Sequence, residues 1–193
     1  MSRPALFAHI CCAPDAAYVV ALLQTEYEVR GFFYNPNIEP VDEYDRRLVE
    51  TRKVGRLLDF DLEEGPAESL RWEAMTRRFA AEPEKGRRCA ICYAMRLDLT
   101  ARRARESGFP SFTTIMSVSP WKDAGLMNRI GLRLGRKYGL EFLAADFKKK
   151  DGFRKSVEIS RRLGLYRQNY CGCRYSRRPA ARAVDGPKVI PRG

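Results

Sequence analysis

The amino-acid sequence predicts an α/β fold in which a five-stranded parallel sheet is covered by helices on both faces. Strand-like and helix-like segments alternate along almost the whole chain, the first strand is a continuous apolar run, and no internal repeat or second domain interrupts the order. Strands joined through a helix normally run parallel, and such sheets bind ligands where their strands end.

The first half of the chain is predicted to contain three strands and three helices. Ala5 to Ile10 is an apolar run typical of a buried strand, and Pro14 suits the first residue of the helix that follows. The second strand is alternating and aromatic, and the long helix after it repeats apolar residues at helical spacing. The predicted segments are strands at 5–10, 28–34 and 59–62, and helices at 14–23, 41–58 and 67–79.

The second half repeats the pattern with two strands and three helices. A Pro- and Gly-containing break at 82–86 precedes an arginine-rich helix, and Gly139 ends a later one. Residues 1–176 are expected to form one metal-binding catalytic domain, and residues 177–193, which are basic and contain Pro and Gly, a flexible tail. The predicted segments are strands at 111–118 and 141–145, and helices at 89–105, 123–138 and 152–163.

Composition narrows the class of protein. The 193 residues are 45% apolar, enough for a hydrophobic core, and their net charge of +12 favours a polyanionic partner such as nucleic acid. No apolar run is long enough for a membrane span or a signal peptide, so we expect a cytoplasmic protein with reduced thiols. Six cysteines in that compartment indicate a metal site or redox groups.

The six cysteines fall into three close pairs from distant parts of the chain. Two sulfurs separated by two residues lie on one side of a helical turn, a glycine lets the backbone bring the last pair together, and adjacent cysteines in a turn do likewise. Three such pairs predict a shared site, although any single pair is also typical of two buried small residues. The pairs are Cys11-Cys12, Cys89-Ala90-Ile91-Cys92 and Cys171-Gly172-Cys173.

The available ligands favour iron and sulfide. The one histidine, His9, leaves little room for a mixed Cys/His zinc site, and its buried strand predicts a core or supporting role. Four thiolates hold an iron–sulfur cluster, and the surplus pair could bind a second metal or relay electrons as a dithiol. A four-cysteine zinc site is the alternative. Asp15 is either an oxygen ligand or a first-turn carboxylate favoured by the helix dipole, and Tyr93 either a proton donor or a packed aromatic.

Basic and aromatic residues near the predicted strand ends suggest contacts with nucleic acid. The three lysines that follow the fifth strand suit phosphates, or form a solvated charge run. The lysine that follows the fourth strand faces either substrate or solvent. The segment before Cys171 interleaves aromatic and polar residues, which suits stacking on an unpaired base or packing around the metal site. The candidate residues are Lys122, Lys148, Lys149, Lys150, Tyr166, Arg167, Gln168 and Tyr170.

Several longer motifs resemble those of the cobalamin-independent epoxyqueuosine reductases of the QueH type: HICCAPD, NPNI, EYDRR, RCAICYAMRL, FTTIMSVSPWKD and FKKKDGFRKSVEISRRLGLYRQNYCGCRYS. The resemblance runs from His9 to about Ser176. One departure is Glu39, where the family pattern NPNIHP has a histidine. That family is similar in fold to the nucleotide-binding HUP and PP-loop proteins, so the resemblance implies a Rossmann-type three-layer sandwich.

The resemblance implies an oxidoreductase that reduces the epoxide of epoxyqueuosine in tRNA to queuosine, the last step of queuosine biosynthesis. The expected partners are the anticodon loop of a tRNA and an external electron donor such as a ferredoxin or flavodoxin, and the expected cofactors are a 4Fe-4S cluster and an additional adjacent iron ion. The six cysteines and Asp15 are then metal ligands, with Asp15 or Tyr93 as the proton donor to the leaving oxygen.

Two alternatives stay open. An ATP-dependent iron–sulfur tRNA sulfur transferase of the PP-loop type would share the scaffold, but CCAPDA lacks the glycines of the PP-loop string SGGxDS that let the backbone approach phosphate. A structural-zinc RNA-binding module would explain the cysteines and the charge without redox chemistry. ATP turnover would favour the first, and zinc without iron the second.

Overall fold

The computed structural model describes residues 2–177 of the chain. Its strands are β1 (Ala5–Ile10), β2 (Glu28–Phe33), β3 (Leu62–Glu64), β4 (Ser111–Thr114) and β5 (Glu141–Phe142). Its α-helices are α1 (Ala13–Leu23), α2 (Val41–Leu58), α3 (Ser69–Thr76), α4 (Arg87–Glu106), α5 (Ala124–Tyr138) and α6 (Gly152–Arg162). Within the described residues the strands form one parallel sheet in the order β3-β2-β1-β4-β5, which confirms the predicted five-stranded sheet.

Helices cover both faces of the sheet, so the fold has three layers. Side chains of β1 alternate between the faces: Leu6 and Ile10 enter a core with α1, α2 and α6, whereas Phe7 enters a second core with α3, α4 and α5. In that second core Phe112 of β4 packs against Phe142 of β5, with ring centroids 5.0 Å apart. The predicted Rossmann-type three-layer sandwich is therefore confirmed.

Several predicted segment ends are wrong for local reasons. The third strand begins at Leu62 rather than at residue 59, because Asp59 ends α2 in the left-handed conformation with φ 51°. The fourth strand stops at Thr114, whose hydroxyl accepts a hydrogen bond from the Met116 N–H and turns residues 115–118 into a 3-10 helix. The fifth strand is shorter than the predicted 141–145, and the third helix shorter than 67–79.

An irregular segment follows α6 and leads into a short 3-10 helix at Arg174–Ser176. We call residues 165–173 of this segment the strap. None of the described helices is long and apolar enough to cross a membrane. The predicted tail, 177–193, lies outside the described residues except for Arg177.

Candidate metal and substrate site

A cavity of about 220 Å³ lies at the carboxyl edge of the sheet, where parallel sheets are expected to bind ligands. Its wall is formed by the start of α1, the chain after β4, and the strap. One cysteine of the first pair and one of the third, Cys11 and Cys171, reach this wall together with the cations Arg96 and Lys122. The cavity thus lies at the edge of the sheet where the sequence analysis expects a ligand.

The first cysteine pair lies at the junction of β1 and α1. Because one element ends at Ile10 and the next begins at Ala13, the backbone on both sides of the pair is held in regular structure. The Cys11 Sγ lies 3.9 Å from the Cys12 Sγ and 3.6 Å from Asp15 Oδ2. Among residues 2–177, these three form the one set whose potential metal-ligand atoms all lie within 4.8 Å of one another. Asp15 thus completes a compact S₂O donor group.

The second pair lies in the first two turns of α4. Because α4 begins at Arg87, the two-residue spacing brings both sulfurs to the same end of the helix. The Cys89 Sγ accepts a hydrogen bond from the Lys85 N–H at 3.3 Å, and the Cys92 Sγ accepts one from Arg96 Nη2 at 3.0 Å. Both sulfurs therefore have donors that stabilise a thiolate.

The third pair lies on the strap and depends on side chains for its position. Arg47, whose side chain is 2% exposed, donates to the carbonyl of Cys171 at 3.0 Å and to the preceding carbonyl at 3.2 Å. The Glu39 N–H donates to the Gly172 carbonyl at 3.0 Å. Gly172 has φ 117°, and a Cβ there would lie 2.8 Å from the Ile38 side chain, so this position requires glycine.

The two thiols of the strap differ in their tendency to ionise. A hydrogen bond from Cys173, reinforced by the positive charges of Lys122 and Arg96, holds the pKa of the Cys171 thiol well below its ordinary value. The same hydrogen bond, together with burial, raises the pKa of the Cys173 thiol. Cys171 is therefore the strap thiol that is most readily available as a thiolate ligand.

Arg96 is a buried cation that faces sulfur. It is 2% exposed, and its guanidinium donates to Cys92 Sγ at 3.0 Å, to Met116 Sδ at 3.0 Å and to Asn35 Oδ1 at 3.3 Å. Within the described part of the chain it makes no ion pair with a carboxylate. Buried charges require a counter-charge, so this guanidinium fits a site whose thiols are ionised and gathered into an anionic group. The thiols that share its field are Cys11, Cys92 and Cys171.

Two further buried polar groups beside the thiols lack a hydrogen-bond partner among the residues that the structure describes. They are the side-chain amide of Asn37 and the phenol of Tyr93. The Asn37 nitrogen would lie 3.3 Å from a Cβ at Gly172, and burial raises the pKa of Tyr93, which shares the field of Cys89 and Lys122. Unpaired buried polar atoms are uncommon, and they fit a site that binds another group. An iron–sulfur centre is such a group, because its sulfides accept hydrogen bonds.

His9 belongs to the core beneath this site. Its Nε2 lies 3.0 Å from the Tyr34 carbonyl oxygen, and its Nδ1 lies 3.1 Å from Thr114 Oγ1. Burial, with the nearby charge of Arg96, lowers the pKa of His9 to about 3. The predicted core role is confirmed, because both ring nitrogens are used within the sheet.

The residues predicted to meet the substrate fall into two groups. Lys122, Arg167, Gln168 and Tyr170 lie on the cavity wall. The others lie off it: the Tyr166 hydroxyl donates to Glu43 at 2.8 Å, Lys148 pairs with Asp146 at 2.7 Å, and the next two lysines are exposed. Lys148, Lys149 and Lys150 are thus placed outside the wall, where they would meet a large ligand rather than a small one in the cavity.

Three residues of the site escape the sequence prediction: Arg47, Arg96 and Trp121, which is 54% exposed on the cavity wall. Arg96 had a usable signal, since it follows Cys92 by four residues on a predicted helix and therefore lies over the same face. Trp121 precedes the predicted Lys122, and its exposure is the informative fact. Arg47 ends the motif EYDRR, but its contact with the strap joins distant parts of the sequence and no local pattern predicts it.

Comparisons with known proteins agree with these observations. A family model described as "Epoxyqueuosine reductase QueH" matches residues 6–179. A protein named epoxyqueuosine reductase QueH from Streptococcus pyogenes serotype M1 is 37% identical over 183 residues, which cover 90% of this chain and 71% of that protein. Proteins of the same name from Thermotoga maritima and Haemophilus influenzae are 37% identical over 174 residues (87% and 88% covered) and 35% identical over 175 residues (90% and 71% covered).

Proposed function

The chain belongs to the QueH family of epoxyqueuosine reductases, and from this premise we propose that it reduces the epoxide of epoxyqueuosine in tRNA to the alkene of queuosine. One observation supports the proposal above the others: thiols from two distant parts of the chain, Cys11 and Cys171, line one cavity with two cations, Arg96 and Lys122. Arg96 also donates a hydrogen bond to Cys92 of the remaining pair, at 3.0 Å. Converting an epoxide to an alkene consumes two electrons and two protons and releases water. The site must therefore hold a redox group, the modified nucleobase and a source of protons.

We infer two sets of metal ligands from the side-chain positions. The compact S₂O group suits a single ion. The remaining thiols share one electrostatic environment: burial and the charge of Cys171 raise the pKa of Cys89. A hydrogen bond to Cys171, burial and the charge of Cys92 raise the pKa of Cys173. When bound, a 4Fe-4S cluster supplies electrons and an adjacent iron supplies a Lewis acid. The proposed iron ligands are Cys11, Cys12 and Asp15, and the proposed cluster ligands are Cys89, Cys92, Cys171 and Cys173.

The cavity wall has groups that suit a nucleobase. Gln168 keeps a buried Oε1 without a partner among the described residues, so it can accept a hydrogen bond from the donor edge of a guanine-like base. The ring of Tyr170 and the exposed ring of Trp121 offer apolar faces for stacking. We assign Lys148, Lys149 and Lys150 to the phosphate backbone of the tRNA, because they lie outside the wall and carry charge.

The protons are assigned to residues with different access to the cavity. Asp15 lies on the cavity wall, but a carboxylate that binds a metal stays deprotonated. We therefore assign Asp15 to holding the iron ion and orienting the nucleobase, not to donating a proton. Lys122 also lies on the wall, and its ammonium can stabilise an oxygen that gains negative charge as the epoxide opens. Tyr93 shares the electric field of Lys122, and burial keeps its phenol protonated, so it is the residue that we assign as a proton source.

The test begins with anaerobic purification, analysis of iron, acid-labile sulfide and zinc, and a visible spectrum. Wild-type protein is expected to be brown, to bleach on dithionite and then to reduce epoxyqueuosine in tRNA. Cys89→Ala is expected to lose iron and activity, whereas Ser107→Ala, at the exposed far end of the same helix, keeps both. A Cys89→Ala variant with full iron content and full epoxide reduction would contradict the ligand assignment.

The same preparation separates the two alternatives. Zinc without iron, after anaerobic reconstitution of the cluster has been tried, would favour a structural-zinc RNA-binding module. Turnover of ATP would favour a PP-loop sulfur transferase, although Cys12 and Ala13 occupy the positions at which the string SGGxDS has its glycines. Electrons are expected from an external donor such as a ferredoxin or flavodoxin, which dithionite replaces in the assay.

A further inference from the structure

Arg96 connects the first cysteine pair to the second through a chain of buried hydrogen bonds. Its guanidinium donates to Cys92 Sγ at 3.0 Å and to Asn35 Oδ1 at 3.3 Å. The amide nitrogen of Asn35 in turn donates to the carbonyl of Ile10 at 2.9 Å. Since Ile10 immediately precedes Cys11, a shift of the Arg96 side chain would change the relative position of the two pairs.

The charge of Arg96 is not shared with a carboxylate anywhere in residues 2–177. Lys122, the other cation facing the thiols, has its ammonium 3.1 Å from a carboxylate oxygen of Glu84. Electrostatic interactions are strong where water is excluded, and a fixed positive charge stabilises the more negative of two redox states. An electron added to a metal centre next to Cys92 would therefore be stabilised by Arg96, which contacts that sulfur and has no carboxylate partner among the described residues.

Two other arginines of α4, one buried and one partly exposed, have partners that differ from those of Arg96. Arg88, also buried, donates to the backbone carbonyls of residues 79, 80 and 82. Arg103 pairs with Glu63 at 2.6 Å near the far end of the helix. Arg96 is thus the arginine of this helix whose hydrogen bonds go to two sulfur atoms and an amide.

We propose that Arg96 is a positioning residue that raises the reduction potential of the metal centre and fixes the second cysteine pair relative to the first. The inference rests on the proposed function, because it requires a redox-active centre bound to Cys92. Charge and geometry are separate contributions. Lysine retains the charge but lacks the planar fork that reaches several acceptors at once, whereas glutamine and methionine both remove the charge.

The experiment is a potentiometric titration of the full-length, anaerobically purified proteins, followed by electron paramagnetic resonance of the reduced centre. The variants are Arg96→Lys, Arg96→Gln and Arg96→Met, with Arg103→Gln as the matched loss of one positive charge from the same helix. Methionine is included because it leaves no new polar group buried if glutamine is poorly tolerated. Circular dichroism and iron content are measured on every sample before its potential.

Both neutral variants are expected to shift the midpoint potential to more negative values. Arg96→Lys should keep a potential near that of the wild type but change the line shape of the spectrum, and Arg103→Gln should change neither. Equal potentials in wild type, Arg96→Gln and Arg96→Met would overturn the inference, and so would a lysine variant shifted as far as the neutral ones. Wild-type protein without redox-active iron would overturn the proposed function, and the inference with it.

Discussion

The first and third cysteine pairs reach the same cavity by different means. Cys11 and Cys12 lie between a strand and a helix, both fixed by backbone hydrogen bonds and by a buried core. The third pair lies on the strap, which has no regular structure and is held by Arg47 and by the backbone of Glu39. A pair that is placed by many cooperative bonds should resist single substitutions, whereas a pair placed by a few side-chain donors should not.

The largest test of this contrast is to remove the guanidinium that holds the strap. Arg47→Ala takes away two hydrogen bonds to strap carbonyls and leaves Glu43, which accepts from Arg47 Nε at 2.7 Å, without its buried counter-charge. Removing one member of a buried ion pair typically costs about 3–5 kcal/mol. We expect a decrease of that size in the free energy of unfolding of Arg47→Ala, measured by chemical denaturation. The variant is also expected to lose iron.

A control for this variant lies on the same helix. Arg52 pairs with Glu64 at 2.9 Å but its side chain is 50% exposed, so Arg52→Ala should cost less than about 1 kcal/mol and retain iron. Equal unfolding free energies and equal iron contents in the two variants would show that Arg47 does not hold the strap.

The part of the site next to β1 is expected to lose stability at acidic pH. Because His9 has a pKa of about 3 in the fold and an ordinary value of 6.5, the unfolded chain binds a proton between those values that the native chain does not. Stability contributed by neutral His9 is thus fully present above pH 6.5 and falls as pH drops towards 3, by about 1.4 kcal/mol for each pH unit.

The measurement for this prediction is the pH dependence of urea unfolding in wild type and in His9→Gln. The variant is expected to be less stable near neutrality, because the imidazole contacts with Tyr34 and Thr114 are lost, but to lose less stability with acid. Parallel curves for the two proteins between pH 6.5 and 4 would refute the assignment of this proton to His9.

Backbone conformation at the strap gives an intermediate effect. Gly172→Ala places a Cβ in the left-handed region and 2.8 Å from the Ile38 side chain, so we expect a loss of about 1–3 kcal/mol and weaker iron retention. Gly164 also has a positive φ, 61°, but a Cβ there meets nothing within 4 Å. Gly164→Ala should therefore cost less and keep its iron; equal losses would mean that crowding at Gly172 is unimportant.

The same contrast explains how far sequence alone can predict this site. The position of Cys11 and Asp15 follows from an apolar run, a proline and helical spacing, all of which are local signals. The contact of Arg47 with Cys171 joins residues 124 apart, and the shift of β3 depends on one left-handed residue, Asp59. Local pattern therefore predicts elements and the strand-end cysteines, whereas contacts that hold an irregular segment depend on the assembled fold.

The smallest expected effect concerns Glu39, the position at which the sequence analysis expects a histidine. Glu39 Oε1 accepts from the backbone and Nε of Arg174, both at 2.7 Å, but its side chain is 28% exposed, so Glu39→Gln should cost only about 0.5–1 kcal/mol. The contact of residue 39 with the strap is made by its backbone N–H, which any replacement except proline retains. Glu39→Gln and Glu39→His should therefore both keep their iron. Glu73→Gln, which loses a more exposed ion pair to Arg174, is the matched control, and the loss in either glutamine variant should shrink at high salt. Iron loss in Glu39→Gln but not in Glu73→Gln would place the side chain of Glu39 beside Arg47 as a determinant of the third cysteine pair.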